Sequence, residues 1–121
     1  MSLLRPHLSE NQFLEALGRM FESGYLLVYL EADNHIVSVA GIRISEWLHT
    51  GKYLEIEDLI TKNEYRSQGI GGALFDSIVD FARANHCNQV RLVSGVQREQ
   101  AHKFYLRKGM KFEAKYFSLN I

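Results

Sequence analysis

Three glycines fall within four residues, Gly69, Gly71 and Gly72, between an apolar and β-branched run ending near Thr61 and an apolar run of helical spacing that begins at Ile70. No other feature restricts the fold as much. The chain must pass from a strand into a helix through a turn whose backbone is bare of side chains. The first turn of that helix carries N–H groups without intrahelical partners and a partial positive charge. Glycine lets a ligand approach those groups, and a phosphate or pyrophosphate suits them best. The plainer alternative, glycines used only for their backbone angles, stays open at this point. Two familiar phosphate loops are excluded: no Gly-x-x-x-x-Gly-Lys-Ser/Thr run is present, and Leu74 stands where the dinucleotide pattern needs its third glycine. Arg66, three residues before Gly69, fits an arrangement in which a guanidinium and backbone amides share one pyrophosphate.

The rest of the chain supplies the elements around this turn. Ser9 precedes Phe13, Leu14, Leu17, Met20 and Phe21 at helical spacing, with Gly24 behind them, which predicts a capped amphipathic helix over about residues 10–22. Two aromatic and β-branched runs, Tyr25 to Leu30 and Ile36 to Ile44, flank the turn chemistry of Glu31-Ala32-Asp33-Asn34 and predict an antiparallel hairpin. Gly41 inside its second strand marks a bulge or a close backbone approach. Thr50-Gly51-Lys52 turns into a third strand, Tyr53 to Thr61, with Leu54 and Ile56 on one face and Glu55 and Glu57 on the other. The alternation slips at Asp58-Leu59-Ile60, as a bulge would cause.

Ile70, Ala73, Leu74, Ser77, Ile78 and Phe81 make the stripe of a second helix ending near Asn85. A short strand at Val90 to Val93, a third helix over 97–108 stopped by Gly109, and a closing strand from Met110 to Leu119 complete the order. This is one α/β (α+β) domain over residues 1–121, a mixed, mostly antiparallel sheet flanked by helices.

Charge and cysteine content narrow the function classes. Fourteen Lys and Arg balance fourteen Asp and Glu, so no general field draws nucleic acid or an anionic membrane, and an anion must be held by local geometry. A single cysteine, Cys87, excludes an intrachain disulfide and multi-cysteine metal sites, and suits a reducing cytoplasm as a small apolar residue. None of the five histidines, His7, His35, His49, His86 and His102, pairs with another at metal-ligand spacing, so no metal is expected. No apolar run reaches the ~18 residues of a membrane span, and no secretory signal pattern opens the chain.

Arg66-x-x-Gly69-x-Gly71, set between strand and helix, resembles the acyl-CoA pyrophosphate loop of the GCN5-related N-acetyltransferase (GNAT) superfamily. A second run, Ser94 to Met110, is similar to that family's later strand, helix and closing turn, with Ala101, Tyr105 and Gly109 in register. The resemblance spans about residues 25–118 and implies transfer of an acetyl group from acetyl-CoA to an amine by direct attack. It implies cofactor contacts from Arg66, Ser67, Gln68, Gly69, Ile70, Gly71 and Gly72, and backbone contacts from Leu59, Ile60 and Thr61. Ser94, Arg98, Ala101 and Tyr105 complete that implied set, and Arg107 and Lys108 are further candidates for the 3′-phosphate.

Arg98 stands where many members have asparagine. The strand and helix that members usually carry before the first helix here have no counterpart, so the resemblance implies an N-terminally shortened fold whose pocket is either open or covered by the partner in a homodimer.

Acetyl transfer needs a base, a polarised carbonyl and an acid for the departing thiolate. Tyr105 is the implied general acid, and Phe104 beside it is core. Glu57 and Asp58 are adjacent acids near the end of an apolar strand, where unpaired acids are rare. Glu57 is the candidate base and Asp58 the contact for a small-molecule or peptide amine, with a bulge expected to aim one into a cleft and the other to solvent. Two other classes remain as alternatives: a non-catalytic acyl-CoA-binding module or sensor, and an interaction protein whose glycine turn binds nothing.

Overall fold

The computed structural model describes residues 9–65 and 69–121. The first helix, α1, runs Glu10–Glu22 as expected. Its cap is reciprocal: the Ser9 hydroxyl accepts from the Gln12 N–H at 3.1 Å, and the Gln12 side chain accepts from the Ser9 N–H at 2.9 Å. Strand β1 (Leu26–Ala32) pairs antiparallel with β2 (His35–Trp47), which pairs antiparallel with β3 (Gly51–Thr61). Asp33 and Asn34 both take positive φ, 53° and 63°, so the first hairpin closes in a two-residue turn whose twist matches its strands. Both β2 and β3 are longer than their apolar runs, because the ladder continues past them to Trp47 and Gly51.

A short 3₁₀ turn at Asn63–Tyr65 leads toward helix α2 (Ile70–Ala84), and β4 (Gln89–Leu92) and helix α3 (Glu99–Arg107) follow. The sheet order is β1-β2-β3-β4.

Helix α2 lies across β1, β2 and β3. It buries Leu74, Phe75, Ile78 and Ala82, whereas Ala73, Ser77 and Phe81 stay exposed. The stripe is thus rotated from the one expected: the bulky Phe75 is buried in place of small Ala73 and Ser77, which hides more apolar surface. Beneath it are Val37, Ala40 and Ile42 of β2 and Leu54 and Ile56 of β3, all buried. Burying each of the Val, Ile and Leu side chains is worth roughly 1.5–3 kcal/mol.

The chain divides into two compact units, Met1–Arg91 and Leu92–Ile121. In the second, the closing strand expected over Met110 to Leu119 does not form: residues 110–121 have no regular secondary structure, and Phe112, Tyr116, Phe117 and Leu119 are exposed. Alternating apolar residues favour a strand only once a neighbouring edge pairs with them. Among the described residues no helix is long and apolar enough to cross a membrane.

Candidate active site

In the first unit the site begins where β3 breaks register with β2. Gly41 opposes Asp58 and Ile42 opposes Ile56, which leaves Glu57 as the extra residue of a bulge. The bulge expected from the slip in alternation is therefore present, and it starts at Glu57. Its effect on the two acids differs from the expectation. Gly41 and Arg43 share one face of β2. Glu57 Oε2 accepts from Arg43 Nε at 2.7 Å, and Asp58 Oδ2 accepts from the Tyr25 phenol, which crosses Gly41, at 2.6 Å. Both carboxylates thus engage groups from the same sheet face, and neither is fully exposed. Arg43 is itself pinned, since its Nη1 donates to the Ser23 carbonyl at 2.8 Å and the Ser23 hydroxyl at 2.9 Å.

Beyond the bulge, Leu59, Ile60 and Thr61 pair with Ala40, Val39 and Ser38. Ser38 is 2% exposed; its hydroxyl donates to the Ile60 carbonyl at 3.1 Å and lies 3.0 Å from Thr61 Oγ1. The Lys62 N–H donates to the Val37 carbonyl at 2.8 Å. These bonds set the direction in which the chain leaves the sheet toward the glycine turn. Arg66, Ser67 and Gln68, expected to begin the anion loop, lie outside the described residues.

At the start of α2, Gly69 is the N-cap with φ 76°, a left-handed conformation that disfavours any Cβ, and no side-chain cap bond is made among the described residues. The Gly69 carbonyl accepts from the Ala73 N–H at 2.9 Å, the first bond of the helix. A Cβ at Gly71 would stand 3.2 Å from Thr61 Oγ1, so the second glycine keeps the turn close against the end of β3. Ile70, Gly71 and Gly72 occupy the first turn, where backbone N–H groups face outward along the helix axis.

The second unit holds the remaining candidates. The Ser94 hydroxyl is buried without a hydrogen-bond partner among the described residues. Arg98 is the N-cap of α3, and its carbonyl accepts from the His102 N–H at 3.1 Å. Ala101 and Tyr105 share the half-buried face of α3, with Phe104 and Tyr105 in edge-to-face contact at 5.6 Å. Burial raises the Tyr105 phenol above the ordinary 10.0, and the positive charge of Arg98 pulls the other way. Tyr105 therefore keeps its proton at neutral pH. Cys87 is half-buried and unbridged, and among the described residues no cluster of His, Cys, Asp and Glu could hold a metal ion.

Tyr25 and Arg43 escaped the sequence reading. Gly41 signalled that something approaches the strand there, but the side chain that approaches is sixteen residues earlier and only pairing brings the two together.

The model of the acetyltransferase (GNAT) family matches residues 3–112 of this chain. The chain belongs to the GNAT family. An uncharacterized N-acetyltransferase of Bacillus subtilis (strain 168), YhdJ, is 36% identical over 109 residues, covering 89% of this chain and 77% of that protein. An aminoalkylphosphonate N-acetyltransferase of Salmonella typhimurium is 29% identical over 80 residues, 65% of this chain and 52% of that protein. The crystal structure of a probable acetyltransferase superposes with a TM-score of 0.82 at 20% identity, over 99% of this chain and 84% of the other. The mixed sheet with its helices is thus the GNAT fold, and the family and its N-acetyltransferase members support acetyl transfer as the general activity of this GNAT chain.

Proposed function

We propose that this GNAT chain takes acetyl-CoA as donor and transfers the acetyl group to the amine of a small molecule or peptide by direct attack, without a covalent enzyme intermediate. The observation that carries this reading is the N-terminus of α2: a left-handed glycine cap with no side-chain cap bond among the described residues, and a Gly71 whose missing Cβ lets the turn lie close to Thr61. Such a helix end suits the pyrophosphate of the donor. Arg66, Ser67, Gln68, Gly69, Ile70, Gly71 and Gly72 would hold it, with the backbone of Leu59 to Thr61, and Ser94, Arg98 and Ala101, along the pantetheine arm. The unpartnered hydroxyl of Ser94 has the chemistry for such a polar contact.

In the proposed roles Asp58 receives the acceptor's ammonium, and Glu57, held in place by Arg43, accepts the departing proton through water. The amine nitrogen bonds to the thioester carbonyl carbon, the C–S bond breaks as Tyr105 gives its proton to the thiolate, and the second proton shed by the acylated nitrogen restores the Tyr105 phenol. The Salmonella relative makes an aminoalkylphosphonate a reasonable member of the amine panel. We assign the protein to the cytoplasm and to a homodimer within the same reading.

Two measurements test it together: calorimetric titration with acetyl-CoA, and CoA release across a panel containing an aminoalkylphosphonate, polyamines, diamino acids and peptide N-termini. Binding plus release that falls at least a hundredfold in Glu57→Gln is expected. Tight binding without release from any amine would favour a non-catalytic acyl-CoA module, and a blank titration would remove both ligand readings.

A further inference from the structure

Tyr25 is 1% exposed and enters the sheet directly after Gly24, whose φ of 99° turns the chain inward from the end of α1. Its N–H donates to the Met20 carbonyl at 3.0 Å, and Phe21 packs on its ring at 6.0 Å. From there the side chain crosses a whole strand. Adjacent strands are about 4.8 Å apart, so a residue at the start of β1 reaches β3 only by lying over β2. Gly41 makes that possible: a Cβ there would overlap the phenol oxygen and the ring carbons of Tyr25. The phenol then donates to Asp58 Oδ2 at 2.6 Å, a short bond of the charge-assisted kind.

Three elements therefore converge on one carboxylate: a turn glycine that aims the ring, a strand glycine that clears its path, and the bulge that presents Asp58. The neighbouring acid is held by a separate donor, Arg43, fixed in turn by Ser23. The two adjacent carboxylates thus cannot exchange partners without breaking bonds in both sets.

We infer that Tyr25 is a positioning residue for acetyl transfer, which holds the Asp58 carboxylate in one orientation for the acceptor's ammonium. This rests on the proposed role of Asp58 as the amine contact. A phenol that only filled the core would be equally well satisfied by a backbone carbonyl. Here it is committed to one of two adjacent acids, over a strand position where only glycine leaves room for the ring. Tyr25 acts through Asp58, so its removal changes how well the amine is held and leaves the donor side alone.

The test uses Tyr25→Phe, which keeps the ring and removes only the hydroxyl. KM for the amine should rise about tenfold or more, KM for acetyl-CoA should stay within about twofold, and the thermal midpoint should move by only a few degrees. Asp58→Asn should raise the amine KM at least as much. The double variant should be no worse than Asp58→Asn alone, because the phenol then has nothing to position. Gly41→Ala, which displaces the ring while keeping its hydroxyl, should raise the amine KM in the same direction.

If Asp58→Asn weakens amine binding but Tyr25→Phe does not, the positioning role is overturned and the reading of Asp58 stands. If Asp58→Asn itself leaves the amine KM unchanged, the underlying reading fails instead. Equal loss for both substrates in Tyr25→Phe, or a change in stability alone, would also overturn the inference, since that is what a packing residue would do.

Discussion

Glu57 and Asp58 are consecutive in the chain, yet a pinned arginine holds one and a buried phenol the other. The backbone geometry of one bulge creates that division of labour. In a regular strand their side chains would point to opposite faces; the extra residue at Glu57 brings both to the face that carries Arg43 and Tyr25. Tyr105 sits in the second unit, and its chemistry can be judged there. Burial raises its phenol above 10.0, so it remains a proton donor throughout the neutral range. Tyr105→Phe should lower kcat by about 10² to 10⁴ with little change in acetyl-CoA affinity. If the phenol is the acid, the alkaline fall in the native rate that belongs to it lies above pH 10.0 and disappears in the variant. The same shift has a sign for stability. Its contribution is fully present below the unfolded value and is lost as pH climbs through the higher folded one. A native-like rate in Tyr105→Phe would return the residue to packing.

At the scale of elements, the two glycines opening α2 make different demands and separate by substitution. Gly69 has φ 76° and nothing within 4 Å of a would-be Cβ, so Gly69→Ala meets backbone strain alone and should cost roughly 1–2 kcal/mol in denaturant unfolding. Gly71 has ordinary φ but a Cβ there would come within 3.2 Å of Thr61 Oγ1, and a larger side chain would push the first turn of α2 away from the end of β3. Gly71→Val should therefore keep most of the fold and lose acetyl-CoA binding by calorimetry; retained affinity would argue against the loop as anion site. These elements were legible in the chain to different degrees. Helix α1 announced itself by Ser9, Gln12 and a clear apolar period, and its ends fall where those residues say. The hairpin of β1 and β2 followed from Asp33 and Asn34 between β-branched runs. The face of α2 did not, because several registers of a Leu, Phe, Ile and Ala pattern look alike until the strands beneath select one.

For the whole molecule, the C-terminal segment departs most from the sequence reading. Phe112, Tyr116, Phe117 and Leu119 read as a strand and are all exposed. Apolar side chains gathered in one short segment and left in water are uncommon on the surface of a monomer. The homodimer expected from the shortened N-terminus would be one way to cover them. Sedimentation at micromolar concentration should give a dimer, and exchanging Phe112 and Phe117 for serine should shift it toward monomer. A monomer in the native protein at all concentrations would remove that expectation.

Local chemistry was enough to determine the order of elements as far as α3, the capped first helix, the tight hairpin and the glycine turn between strand and helix. Each depends on residues within a few positions of one another. The same local motifs carried the family resemblance. Only the tertiary structure decided that Tyr25 crosses Gly41 to reach Asp58, that Arg43 takes Glu57, that α2 buries Phe75, and that the last apolar run pairs with no strand among the described residues. Those outcomes follow from strand register and from competition among distant side chains for the same space and the same hydrogen bonds, which no short window of sequence contains.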